Sequence, residues 1–238
     1  YNEGIASLMK NTREDAKNAY FDFKEANGYE ANYRESIEMM NQAEYNATLR
    51  VAYEEINASN INYGSLQPII NGLRRQFLNF YPVAQRDTVP PHQYLRLVFN
   101  GYRDDGAARI TSSTENLSRE IKTGEKKGPD GKMVDIMSTV TAKIVYYRKY
   151  KSARSSSMLT ITDAASQGVL QSQAVEGRSS WQQEWATYTG DIRALSSNQQ
   201  NLCKQREQGP NDKDLYNQAM QNLQTNLEQA LRGFYSKY

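Results

Sequence analysis

The chain has 238 residues, and its 29 basic and 27 acidic side chains leave a formal net charge of +2. Such a balance argues against a dedicated nucleic-acid binder, because a strong basic excess supplies most of the affinity in that class. One Cys and one His exclude an intrachain disulfide, a thiolate metal cage and a histidine-rich metal site, so we predict no metal and no cofactor.

Residues 1–46 predict a helical hairpin. The first helix is predicted over residues 3–27, with Thr12 and Asp15 as a capping-box-like start and Asn27-Gly28 as its end. The second helix is predicted from Tyr33 to Asn46. Small and aromatic residues recur along the first helix at spacings of three and four, which places them on one stripe: Ala16, Ala19, Tyr20, Phe23 and Ala26.

Residues 15–44 of this hairpin, with Ala19, Phe23 and Ala26 ahead of a short break and a new helix, resemble a tetratricopeptide repeat (TPR) running into the next one. The Pro that usually follows the second helix of a repeat is absent, since Ala31 stands there. A binding solenoid needs at least about three such units. A TPR-like hairpin and an ordinary hairpin packed on the main domain therefore both stay open.

Residues 47–238 predict one α+β domain. Thr48–Tyr53 alternates apolar and polar residues and predicts its first strand, and Tyr94–Phe99 predicts the second. Between them a helix is predicted from Ser65 through Tyr81, with Pro68 in its first turn. The connection after this helix is long enough for the two strands to run in either direction.

The centre of the domain is a predicted meander of antiparallel strands, residues 134–191. β-Branched and aromatic residues dominate its three strands: Val134–Tyr150, Met158–Thr162 and Val169–Val175. Turns are predicted at residues 155–157 and 164–168. Ahead of the meander, residues 109–122 predict a short helix or a turn, and residues 124–131 predict a solvated loop.

Two helices are predicted at the C-terminal end, over residues 192–206 and 212–235. The last one carries an amphipathic stripe, which we expect to pack along one face of the sheet. The order of these elements predicts a two-layer α+β fold of mainly antiparallel sheet covered by helices. The stripe contains Leu215, Ala219, Leu223, Leu227, Ala230, Leu231 and Phe234.

The candidate ligand-binding residues are aromatic and charged side chains at the end of the meander: Trp181, Glu184, Trp185, Tyr188, Asp191 and Arg193. In the functional interpretation the rings form a platform, and Glu184 or Asp191 accepts hydrogen bonds from a sugar or peptide. In the structural interpretation, which we favour, Asp191 caps the following helix and the Trp rings anchor the sheet edge.

Three other features have structural explanations. The run from Tyr146 to Arg154 mixes rings and cations as single-stranded nucleic-acid sites do, but its cations fall on both faces of a strand that runs out into solvent. His92 is expected to be an exposed loop residue, and Cys203 a half-buried, inert thiol. Without a nucleophile elbow or other catalytic motif, we predict no catalytic residues.

Five segments of the chain carry a second resemblance: Leu73–Tyr81, Val145–Tyr150, Ile161–Leu170, Glu184–Leu195 and Leu231–Tyr238. They resemble a group of uncharacterised bacterial secreted lipoproteins, in which a tetratricopeptide-like hairpin precedes an α/β domain similar to that of curli-secretion (CsgG-like) lipoproteins. The resemblance covers nearly the whole chain. It implies a periplasmic or outer-membrane location with a lipidated Cys upstream of Tyr1, and it transfers no active site.

We therefore expect a non-enzymatic, extracytoplasmic module that binds a protein partner, with no nucleic acid and no membrane contact beyond the lipid anchor. The alternative is a carbohydrate-binding or hydrolytic protein that uses Trp181, Glu184, Trp185 and Asp191. A deep cleft with two carboxylates about 5–10 Å apart would favour that alternative. A purely structural scaffold is a third hypothesis, and the oligomeric state stays open.

Overall fold

The computed structural model describes residues 1–61, 65 and 67–238, and these residues have the expected α+β fold. The helices are α1 (Asn2–Met9), α2 (Arg13–Tyr29), α3 (Ser36–Ala47), α4 (Gln67–Leu73), α5 (Ser197–Lys204) and α6 (Asp212–Tyr235). The strands are β1 (Leu49–Asn57), β2 (Leu78–Pro82), β3 (Gln93–Asp104), β4 (Arg109–Lys127), β5 (Met133–Asp163) and β6 (Val169–Gly190). In the described part of the chain, no helix combines the length and the apolar character that crossing a membrane requires.

The strands form a mixed sheet in the order β2-β1-β3-β5-β4, and β6 pairs with β5. β1 is parallel to both β2 and β3, whereas β4 is antiparallel to β5. The direction that the sequence left open between the first two predicted strands is therefore parallel. Parallel neighbours require a crossover connection, and α4 lies in the one that joins β1 to β2.

The fold divides into two compact units. Residues 1–102, 155–177 and 220–238 form unit 1, and residues 103–154 and 178–219 form unit 2. Strands β3, β5 and β6 and helix α6 contribute residues to both units.

The N-terminal hairpin has the predicted buried stripe but different helix boundaries. Thr12 Oγ1 accepts a hydrogen bond from the Asp15 N–H at 3.1 Å, which confirms the cap. The single helix predicted over residues 3–27 is wrong, because Asn11 adopts a positive φ of 60° and separates α1 from α2. Gly28 does not end α2, which continues to Tyr29. Ala26 of the predicted stripe is only half-buried. The buried side chains of the hairpin are Ala16, Ala19, Tyr20, Phe23, Ala43 and Ala47, and Phe77, which precedes β2, packs with them.

The helix predicted from Ser65 through Tyr81 is correct only in its first half. Ser65 Oγ accepts from the Gln67 N–H at 3.0 Å, while Leu66, which the prediction also includes, lies outside the described residues. After α4 the backbone turns at Phe77, whose φ is +64°, and Leu78 begins β2. The apolar residues of this segment have spacings of three and four, which fit a helix as well as a strand. Residues 78–82 adopt the strand conformation because they pair with β1.

The meander consists of longer strands than predicted. Residues 109–122, predicted as a short helix or turn, belong to β4, which pairs with β5 along its whole length. The predicted loop begins later, because β4 continues to Lys127. The predicted turn at residues 155–157 is wrong: Ser155 and Ser157 are buried within β5. The turn at residues 164–168 is confirmed, and Asp163 Oδ1 accepts backbone N–H groups within it.

Helix α6 spans the predicted residues 212–235 and confirms most of the predicted stripe, but Ala230 and Phe234 are only half-buried, and Met220 and Tyr235 are buried instead. In unit 1, Asn226 Nδ2 donates to the Glu176 carbonyl of β6 at 2.8 Å. In unit 2, Ser179 Oγ of β6 donates to the Leu215 carbonyl at 2.7 Å. These bonds hold the helix against the sheet. The buried residues of α6 are Leu215, Ala219, Met220, Leu223, Leu227, Leu231 and Tyr235.

Candidate functional site

The predicted ligand-binding residues lie along the end of β6 and in the 3-10 turn that follows it. Trp185 is buried and stacks on Tyr147 of β5, with ring centroids 5.2 Å apart and planes 12° apart. Glu184 projects from the opposite face of β6, because adjacent residues of a strand alternate. Trp181 is half-buried and Tyr188 is exposed. The strand thus divides these aromatic and acidic side chains between its two faces.

Glu184 forms an ion pair with Arg148 of β5. The carboxylate Oε1 accepts from the guanidinium Nε at 2.8 Å and Nη2 at 2.7 Å. Both side chains are about half exposed, so the pair contributes at most about 1 kcal/mol to stability. Its main effect is to hold the Glu184 carboxylate in one place beside the pocket described next.

A pocket of about 360 Å³ lies next to this ion pair in unit 2. Glu184 and Trp185 both line it, but their side chains leave opposite faces of β6, so the Trp185 ring and the Glu184 carboxylate do not form one platform. Trp181, Tyr188, Asp191 and Arg193 are not among its lining residues. Glu184 supplies the one carboxylate among the described residues that line it. The lining residues are Thr111, Ser112, Ser113, Tyr146, Tyr147, Arg148, Glu184, Trp185 and Leu202.

Asp191 acts as a cap, but of the 3-10 turn Ile192–Ala194 and not of a helix. The helix predicted over residues 192–206 is wrong in its boundaries, because α5 runs only from Ser197 to Lys204 and is capped by Ser196. Asp191 Oδ1 accepts from the Arg193 N–H at 2.9 Å, and both carboxylate oxygens accept from the Arg193 guanidinium. These bonds from Arg193 lower the pKa of Asp191 to about 2. Because the carboxylate is ionised and engaged within the turn, it is poorly suited to act as a general acid.

The basic and aromatic run in β5 is tied to carboxylates of unit 2. Lys149 Nζ lies 2.7 Å from Glu207, and Lys151 Nζ lies 2.7 Å from both Asp104 and Asp212. The Lys151 side chain is buried, and its bonds to the two aspartates raise its pKa. The charges of these two lysines are therefore balanced by carboxylates of the same unit.

A two-stranded ribbon, residues 118–141, was not recognised from the sequence. It consists of the C-terminal part of β4, the N-terminal part of β5 and the loop between them. β6 stops at Gly190, and the Asp191 N–H donates to the Thr141 carbonyl at 3.0 Å, so residues 133–140 extend past β6. Large apolar side chains of the ribbon are exposed: Met133 at 60%, Val134 at 47%, Ile136 at 40% and Met137 at 51%.

A pocket around His92 was also not predicted from the sequence, and His92 is half-buried and not the exposed loop residue expected. Its Nδ1 accepts from the Arg50 backbone N–H at 3.1 Å, and its Nε2 lies 3.0 Å from Arg50 Nη2. Burial, Arg50 and Arg13 together lower the pKa of His92 to about 4, against a smaller opposing effect of Asp163. No sequence motif marks the site, because its residues come from separate segments.

The depressed pKa of His92 makes stability depend on pH. Between pH 6.5 and about 4 the unfolded chain binds a proton at His92 that the folded protein does not, so the free energy of unfolding falls on acidification. Since solvent screens a half-buried ring, we expect a loss of about 2 kcal/mol. Asp163 keeps its charge in this window, because hydrogen bonds from Ser166 lower its pKa.

The measurement is urea unfolding of the wild type and of His92→Asn at pH 7 and at pH 4.5. The wild type is expected to lose about 2 kcal/mol more than the variant, because only the wild type carries the titrating ring. Equal losses in the two proteins would contradict the assignment to His92.

Cys203 is half-buried, as expected, and burial raises the pKa of its thiol. Across residues 1–61, 65 and 67–238, no group of three or more His, Cys, Asp or Glu side chains is placed to hold a metal ion.

The chain matches no protein-family model. A comparison with curated proteins likewise gives no match.

Proposed function

We propose that the protein is a non-enzymatic, extracytoplasmic module of the bacterial envelope that binds a protein partner through the ribbon. One observation carries this proposal: the ribbon exposes apolar side chains on both of its faces. Val134 and Ile136 share one face and Met133 and Met137 the other, because residues of a strand alternate. A two-stranded ribbon alone is only marginally stable, so a partner that covers it gains apolar burial and orders it.

The proposed partner is an extended protein segment that adds a strand to the ribbon. Among the described strands β4 pairs with β5 alone, which leaves the backbone groups of its outer edge available for a further strand. Strand β4 has a basic excess over residues 118–127: Lys122 is paired with Glu125 and Asp135, and Arg119, Lys126 and Lys127 outnumber the remaining Glu120. The best-fitting segment therefore alternates apolar residues with acidic ones.

The envelope location follows from the resemblance to secreted lipoproteins with a TPR-like hairpin and a CsgG-like domain. In this proposal a lipid on a Cys upstream of Tyr1 anchors the protein, and neither a nucleic acid nor a cofactor takes part. Fractionation of the source organism is expected to recover the native protein in the outer-membrane fraction. Recovery in the cytosol would contradict the location and leave the ribbon proposal to be tested separately.

The partner is tested with the double variant Val134→Thr/Ile136→Thr. Threonine keeps the high strand preference of the replaced residues, so the ribbon is expected to form while its apolar surface is reduced. With a photo-cross-linking residue in place of Met137, the wild type should capture a specific protein in envelope extracts. The double variant is expected to lose at least about 90% of that product, because each exposed Val or Ile that a partner buries contributes about 1.5–3 kcal/mol.

The matched control is Glu184→Gln, which changes the pocket beside Trp185 and leaves the ribbon intact. The proposal expects Glu184→Gln to capture the partner as the wild type does. Loss of capture in Glu184→Gln with full capture in the double variant would contradict it. That result would favour the rival function, carbohydrate or peptide binding at the Trp185 pocket.

A further inference from the structure

The pocket around His92 in unit 1 collects cationic and donor groups from three distant parts of the chain. Arg13 comes from the start of α2, Arg50 from β1, and His92 from the segment that leads into β3. The pocket has a volume of about 210 Å³, and none of its lining residues carries a carboxylate. The lining residues are Leu8, Asn11, Thr12, Arg13, Ala16, Asn46, Arg50 and His92.

The imidazole of His92 is oriented by Arg50. A backbone N–H can only donate, so the contact of 3.1 Å between the Arg50 N–H and Nδ1 makes Nδ1 the acceptor. The proton of the neutral ring then lies on Nε2. Nε2 lies 3.0 Å from the Arg50 guanidinium Nη2, which can only donate, so the two N–H groups oppose each other in this tautomer. One oxygen of an anion can accept from both of them.

The two guanidinium groups are held in place by the protein itself. Arg50 donates from Nε to the Pro90 carbonyl at 3.0 Å and from Nη1 to the Tyr45 carbonyl at 3.1 Å, and it lies 4.6 Å from the centre of the Tyr45 ring. Arg13 donates from Nε to the Ala47 carbonyl at 3.2 Å. Groups fixed in this way lose little side-chain entropy when a ligand binds.

From this geometry we propose that the pocket binds a tetrahedral oxyanion, either inorganic phosphate or the phosphoryl group of a small phosphate ester. A planar carboxylate is best matched by the open fork of one arginine, but Arg50 uses Nε and Nη1 for backbone carbonyls and Arg13 uses Nε for another. Donors that arrive from three separate elements fit the several oxygens of a tetrahedral group better.

The charged groups around His92 determine whether its pKa rises or falls when an anion binds. Arg13 and Arg50 face it as cations, and Asp163 of β5 acts against them. An oxyanion between the arginines and the ring compensates their charge and stabilises the imidazolium. Binding is therefore expected to raise the pKa of His92, and protonation of His92 to strengthen binding by the same factor.

The experiment uses the one histidine of the chain as a probe, because its imidazole signals in an NMR spectrum need no assignment. Inorganic phosphate is titrated into the protein at constant ionic strength, at pH 7 and at pH 5.5. The His92 signals are expected to shift to saturation. Because phosphate itself loses charge between pH 7 and pH 5.5, the effect of His92 protonation is read from a parallel titration with sulfate, which stays a dianion and is expected to bind more tightly at pH 5.5. An unchanged spectrum, or a shift that rises linearly without saturation, would overturn the proposal.

Two variants test whether the phosphate binds in this pocket. Arg13→Gln is expected to weaken phosphate binding about tenfold or more, because it removes a charge-assisted hydrogen bond. Arg86→Gln, which removes an exposed arginine of the same unit, should bind as the wild type does. Equal affinities in the two variants would contradict the site, and a thermal unfolding curve of each protein confirms that it is folded.

Three further titrations identify the chemical class of the ligand. Sulfate is expected to compete with phosphate, and acetate to compete at least about tenfold less well. Glycerol phosphate distinguishes the two sources: tighter binding than that of inorganic phosphate identifies an ester as the ligand, and weaker binding identifies the free ion. Acetate that binds as tightly as phosphate would contradict the tetrahedral assignment.

Discussion

Replacing Leu227 with aspartate is expected to lower the free energy of unfolding by about 4 kcal/mol or more at pH 7. Leu227 is fully buried on the stripe by which α6 packs in unit 1. The substitution removes apolar contacts and places a carboxylate where no water reaches it. Part of the loss should be recovered near pH 5, because burial raises the pKa of an unpaired carboxyl group and lets it become neutral.

The measurement is urea unfolding of Leu227→Asp at pH 7 and pH 5, followed by circular dichroism. The matched control is Gln229→Asp, which adds the same charge at an exposed position of the same helix. We expect the control to stay within about 0.5 kcal/mol of the wild type. Similar stabilities for the two variants would show that α6 does not pack through this stripe.

Replacing Gly190 with alanine is expected to cost about 3 kcal/mol or more. Gly190 ends β6 with a φ of +102°, which L side chains rarely adopt. A Cβ atom there would stand 2.6 Å from the Thr141 carbonyl oxygen and 2.9 Å from Ala142 Cα. Because both are backbone atoms of β5, neither can move without disturbing the end of the strand pairing.

Thermal unfolding of Gly190→Ala provides the measurement, with Gly233→Ala as the control. Gly233 lies within α6, and a Cβ atom there meets nothing within 4 Å. That control is expected to be neutral or to stabilise by up to about 1 kcal/mol, since alanine favours the helix. A Gly190→Ala protein as stable as the wild type would mean that β6 and β5 do not approach so closely at this point.

The elements predicted best are those whose signal is local. The C-terminal helix has a periodic stripe that includes Leu215, Leu223 and Leu231, and the helix boundaries follow from it. Thr12 and Asp15 form the predicted cap, because a cap involves residues only three positions apart. Such contacts do not depend on where the rest of the chain lies.

The elements predicted worst are those decided by pairing with distant strands. β4 is polar along most of its length, and its strand conformation comes from β5, where Leu117 faces Ala142. Ser155 and Ser157 have the composition of a turn, yet they belong to the buried face of β5. Local propensity for a strand is weak, so neighbouring strands override it.

The α+β class, the hairpin stripe and the amphipathic last helix can be derived from residue spacing, because each depends on the pattern along one segment. The contacts between distant side chains depend on the tertiary fold. Register joins Trp185 to Tyr147 and Glu184 to Arg148 across neighbouring strands. The His92 pocket requires residues 13, 50 and 92 at one point. Contacts of this kind depend on the tertiary fold of the whole chain, and no local sequence pattern predicts them.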